Sequence, residues 1–88
     1  MAAEPELSKI TEEEVIEIVR RALGETRTHI TTQSLMKDVP EWDSLTHLQI
    51  LVDLDARFDG RIAEINEMAS ADSVKQIIDL LKKHSLIS

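Results

Sequence analysis

At 88 residues the chain is long enough for one domain and too short for two, and the absence of cysteine removes both a disulfide framework and a thiolate metal site. Acidic side chains outnumber basic ones by 17 to 10, and the net charge of −7 repels nucleic acid, for which no basic stripe is present. No apolar run is long enough to span a bilayer, and the start from Met1 to Pro5 lacks the basic and apolar parts of a secretory signal, so the reading is a cytoplasmic protein without membrane insertion.

In chain order, residues 1–9 are polar and read as a flexible N-terminal leader, with residues 10–88 as a single domain. The first helix is expected from Thr11, where Thr11-Glu12-Glu13-Glu14 has the form of a capping box. Val15, Ile18, Val19 and Ala22 follow at i, i+3, i+4 and i+7 and define one apolar stripe, and Gly24 is a natural stop. From Glu25 to Glu41 no period is sustained, so a long loop is expected, pinned by Ile30, Leu35, Met36 and Val39. Pro40 disfavours helix at Val39 and sets up the turn into the second helix.

That second helix begins in Glu41-Trp42-Asp43-Ser44-Leu45-Thr46-His47-Leu48. Asp43 is the expected N-cap, accepting from the amide of Leu45 or Thr46, which leaves Ser44 as the first helical residue with a hydroxyl not needed for capping. A phosphate esterified there would sit at the positive end of the helix. Further along, Ile50, Leu51, Leu54 and Phe58 share a core-facing arc, while Leu45, Leu48, Val52 and Ala56 lie on a separate flank, a pattern that also suits a helix buried on more than one side. Asp59-Gly60 ends the helix, and Ile62, Ile65 and Met68 suggest a short third one. Ser70 to Ser73 offers several caps for a last helix whose stripe is Val74, Ile77, Ile78 and Leu81.

Other chemistries fail on residue type or spacing. His29, His47 and His84 match no zinc motif and read as surface residues, although His47 can also staple onto Trp42 or approach a group on Ser44. A calcium loop counted from Asp55 places Arg57 and Asn66 where acids are needed, leaving at most weak divalent binding by the acidic surface. Ser44 has His47 one turn away but no organising acid or oxyanion hole, so no catalytic residue is assigned and no enzyme is expected.

The run Trp42-Asp43-Ser44-Leu45-Thr46-His47-Leu48-Gln49-Ile50, with Phe58-Asp59, Ile62 and Ser73-Val74 through Ile78 behind it, resembles the acyl and peptidyl carrier protein family, in the Trp-Asp-Ser-Leu form of stand-alone bacterial carriers. The resemblance covers about Ile10 to Leu81 and implies an all-α, acyl-carrier-like four-helix bundle with a long first loop and a short third helix. It implies a 4'-phosphopantetheine arm on Ser44, with Asp43, Leu45 and His47 around the attachment point. The implied partners are a phosphopantetheinyl transferase and acyl- or aminoacyl-loading and acyl-transfer enzymes, met through Leu45, Leu48, Val52, Asp53, Asp55 and Ile65 by a monomer.

The sequence departs from the fatty-acid pattern in one respect. Thr46 and Gln49 stand at two early helix positions that are usually acidic, and Ala56 and Arg57 dilute the later cluster, leaving Asp43, Asp53, Asp55 and Asp59. Weaker steering toward basic partners points to a specialised lipid, polyketide or nonribosomal-peptide pathway rather than the housekeeping one. The alternative from another class is an unmodified helical adaptor that uses the same fold as a binding surface.

Overall fold

The computed structural model describes residues 10–24 and 29–87; the expected leader and the start of the first loop lie outside the described residues. Among these, the chain is all-α: α1 (Glu12–Leu23), α2 (Ser44–Arg57) and α3 (Val74–Lys83), with 3-10 turns at Met36–Asp38, Ile62–Glu64 and Asn66–Ser70. None of the helices is long and apolar enough to cross a membrane.

Each α-helix starts on a side-chain cap that satisfies one of its orphan amides: Thr11 accepts from Glu14, Asp43 from Thr46 and Ser73 from Gln76. The core then follows from the stripes. Val15, Val19 and Leu23 of α1, Ile50 and Leu54 of α2 with its C-cap Phe58, and Val74, Ile77, Ile78 and Leu81 of α3 are buried in one core. On α1 the centre of burial sits toward Leu23, with Ile18 and Ala22 only half-buried at its margin. Two ion pairs lie over the seams, Arg57 to Glu14 at 2.6 Å and Lys82 to Glu12, both at the surface and worth at most about 1 kcal/mol each.

The first loop is held as expected by buried Ile30 and Val39 and half-buried Met36, but Leu35 is exposed. What anchors that part of the loop is its backbone: the Met36 amide donates to the Asp72 carbonyl at 2.8 Å, and the Val74 amide to the Ser34 carbonyl at 3.1 Å. This short antiparallel bridge fixes the loop to the start of α3 without needing the Leu35 side chain.

The expected short third helix is instead a pair of 3-10 turns, and the reason lies in the spacing. Ile62, Ile65, Met68 and Ala71 recur every third residue and all are buried. A period of three matches the 3-10 spiral, in which residues i and i+3 eclipse, whereas an α-helix would rotate this row steadily away from the core.

Two helices end in the same six-to-one bond. The Gly60 amide closes on the Asp55 carbonyl and the Leu86 amide on the Leu81 carbonyl, each at 2.8 Å. The residues that make these reversals possible, Asp59 and Ser85, have φ of 57° and 61°, a region that favours glycine. Asp59→Gly and Ser85→Gly are therefore expected to stabilise the fold, by about 0.5–1 kcal/mol each, read as a higher urea midpoint at unchanged slope.

Candidate functional site

The start of α2 is built by the five residues before it. Val39 is extended, as the following proline requires, and the Trp42 amide returns to its carbonyl at 2.9 Å. This turn drives the Trp42 side chain into the core and leaves Asp43 in an extended conformation, where its carboxylate accepts from the Thr46 amide at 2.9 Å. That bond, and then the Thr46 hydroxyl, hold the Asp43 carboxyl below the usual carboxylate range. Ser44 is the first residue of α2, exposed, and its hydroxyl makes no hydrogen bond among the described residues.

One turn further on, His47 is buried, which corrects the expectation of a surface histidine. Trp42 Nε1–H donates to its Nδ1 at 3.1 Å, so Nδ1 is the unprotonated nitrogen and Nε2–H donates to the Met68 carbonyl at 2.9 Å. The two rings lie 25° from parallel with centroids 6.0 Å apart. With both nitrogens used, His47 faces the core and the 62–70 segment, not the Ser44 hydroxyl; it positions the helix start and offers nothing to a group attached there.

The separate flank of α2 is open to solvent, with Leu45, Leu48 and Val52 exposed by 77%, 57% and 54%; the helix is thus not buried on that side. These three form a ridge between two grooves. The first, about 360 Å³, runs between α2 and the 62–70 segment and is walled by Leu48, Leu51, Val52, Ile62, Ile65 and Met68, with Asp55 and Asn66 as its polar members. The second, about 400 Å³, lies toward Ala22 of α1 and includes Gln49. The three exposed side chains make an apolar strip along the helix.

Two of the residues expected to meet partners also have structural roles. Ile65 is buried and forms the floor of the first groove. Asp55 accepts from the Ala63 amide at 3.1 Å, holding the first 3-10 turn of the 62–70 segment against α2. Asp53, half-buried, accepts from Gln49 at 2.8 Å on the opposite side of the ridge. Leu51, Asn66 and the Met68 carbonyl join the site without having been expected there. Leu51 could have been found by noting that Ser44, Leu48, Leu51 and Asp55 stand at i, i+4, i+7 and i+11. Among the described residues no group of three or more His, Asp or Glu side chains is arranged to hold a metal ion.

Comparison of the chain with protein-family models, with curated proteins and with solved structures finds no match in any of the three.

The Trp42–His47–Met68 chain is expected to carry real stability. Trp42→Phe keeps an aromatic side chain but leaves a buried His47 nitrogen without its donor and removes part of a buried ring, and should lower unfolding stability by about 1–3 kcal/mol in urea. The cap gives a pH signature. Because the folded carboxyl of Asp43 titrates below its unfolded value, its contribution is complete above the ordinary aspartate range, about pH 4, and is lost as pH falls through the folded value. The stability advantage of the native chain over Asp43→Asn should accordingly be constant near neutrality and shrink in acid, as followed by urea midpoints from neutral pH downward.

Proposed function

We propose that this chain is an acyl or aminoacyl carrier protein with a 4'-phosphopantetheine arm on Ser44. The observation that carries the reading is the serine itself: its hydroxyl is solvent-facing, unbonded and at the positive tip of α2, while the neighbouring Asp43 does the capping. A residue needed for the fold would be tied down, and this one is not. The resemblance of Trp42-Asp43-Ser44-Leu45 to the carrier motif supports the same assignment.

The residues present fit the arm. Ser44 supplies the oxygen, the exposed Leu45 leaves room beside it, and the groove walled by Leu48 and Leu51 opens on the same side of the helix. On attachment the Ser44 oxygen forms a bond to the phosphorus that coenzyme A donates, the pyrophosphate link breaks, adenosine 3',5'-bisphosphate leaves, and the hydroxyl proton passes to a base of the transferase. Once attached, the arm supplies the thiol that the cysteine-free chain lacks, and on it cargo is held as a thioester. The protein's own contribution is to anchor, present and dock: tethering raises the local concentration of cargo at a bound enzyme, and a small contact surface lets it leave.

In this reading the all-α fold is a carrier bundle whose fourth member is the 62–70 segment, standing where carriers have a short third helix. Leu45, Leu48 and Val52 form the ridge that meets partner enzymes, with Asp53 as the acid beside it. The thin acidic content of α2 favours a specialised pathway over the housekeeping fatty-acid one.

Incubation with coenzyme A and a permissive phosphopantetheinyl transferase, followed by intact-protein mass measurement, should give one added phosphopantetheine per chain. Ser44→Ala should give none while keeping its helical circular dichroism. A native chain that stays unmodified under conditions where a control carrier is fully converted supports the adaptor reading, in which the ridge alone binds partners.

A further inference from the structure

The groove beside α2 has a beginning and an end. Ser44, Leu48, Leu51 and Asp55 lie in line along one side of the helix, and the last three of them wall the groove together with Ile62, Ala63 and Asn66. The apolar stretch starts one turn from the serine. It stops at Asp55, eleven residues and about 16 Å along the helix axis from Ser44. Asp55 is the one charged residue among those lining the groove, and Asn66 is its polar companion. One Asp55 oxygen is taken by the Ala63 amide; the other makes no hydrogen bond among the described residues.

Resting on the carrier reading of Ser44, the geometry points to an aminoacyl cargo, whose protonated α-amine pairs with Asp55 at the far end of the groove, with the Asn66 amide beside it. The reach agrees. From the serine oxygen to the sulfur, a phosphopantetheine arm has about fourteen bonds, and at about 3.6 Å per three bonds it extends to roughly 17 Å. An arm laid along Leu48 and Leu51 therefore brings its thioester to Asp55, and the first group beyond the thioester in an aminoacyl cargo is the amine. The charge agrees as well, since an ammonium finds a carboxylate with a free oxygen and no competing cation in the lining. A plain alkyl chain would begin where the apolar lining ends, and would remove water from a carboxylate without giving it a partner.

The test compares two cargoes that differ only in the amine. Alanyl and propionyl analogues of coenzyme A, amide-linked in place of the thioester so that they resist hydrolysis, are attached to the full chain by the permissive transferase, and each product is confirmed by mass. At neutral pH the alanyl form is expected to melt about 1–5 °C above the propionyl form, and the gap should vanish in Asp55→Asn, which keeps an oxygen for the Ala63 amide. Amide chemical-shift differences between the two loaded native proteins, centred on Asp55, Ala63 and Asn66, give the same answer without any variant. Equal melting temperatures with no shift differences in that region overturn the aminoacyl assignment and leave the carrier reading standing. Failure of the native chain to gain either arm overturns the carrier reading itself, and the cargo assignment falls with it.

Discussion

The interaction on which the rest of the structure depends is the double hydrogen bond of one buried imidazole. His47 accepts from the Trp42 indole on one side and donates to the Met68 carbonyl on the other, so a single side chain joins the loop before α2, the first turn of α2 and the 62–70 segment. Burial and backbone bonds hold each of these parts, and the imidazole ties them to one another. The loop has few apolar anchors, the first turn of α2 is largely exposed, and the 62–70 segment consists of 3-10 turns, whose hydrogen bonds have poorer geometry than those of an α-helix. A buried ring with both nitrogens satisfied fixes their mutual orientation, because any displacement leaves a polar atom unpaired in the core. Ser44, at the exposed first position of the helix this clamp positions, lies in solvent while Trp42 and His47 on either side of it are buried.

That arrangement divides α2 into surfaces with different tasks. Ile50, Leu54 and Phe58 give the fold its core, and they leave Leu45, Leu48 and Val52 in solvent at a hydrophobic cost that no internal contact offsets. The row from Ser44 through Leu48, which it shares with the ridge, and Leu51 to Asp55 borders the groove. An exposed serine, an apolar ridge and a groove thus occupy adjoining sides of one helix, each set by the 100° step between residues.

Much of this was legible in the sequence because it is local. The caps at Thr11 and Asp43, a cap within Ser70 to Ser73, the reversal at Asp59-Gly60, the extended Val39 before Pro40 and the stripe of α3 depend on neighbours within a few positions, and all appear where they were read. The misplacements are of residues whose surroundings are decided by distant parts of the chain. The stapling of His47 onto Trp42 was legible, but its burial was not, because its second partner, the Met68 carbonyl, is 21 residues away. Leu35 looked like an anchor, yet the backbone bridge to the start of α3 makes its side chain unnecessary. The structural roles of Ile65 and Asp55, one packed in the core and the other bonded to the Ala63 amide, were likewise not read, because both depend on the 62–70 segment. The three-residue spacing of Ile62, Ile65, Met68 and Ala71 was in plain view, but separating a 3-10 row from the start of an α-helical stripe requires knowing that all four are buried.

The central claim is that the imidazole of His47 is clamped between Trp42 and Met68, and the protonation pattern of its ring reports this directly. In a long-range proton–nitrogen spectrum at neutral pH, the account predicts one fixed tautomer, with Nδ1 bare and Nε2 protonated, and a Trp42 indole proton slow to exchange with solvent. A ring whose nitrogens average, a proton on Nδ1, or an indole proton lost at the rate of a free side chain would contradict it.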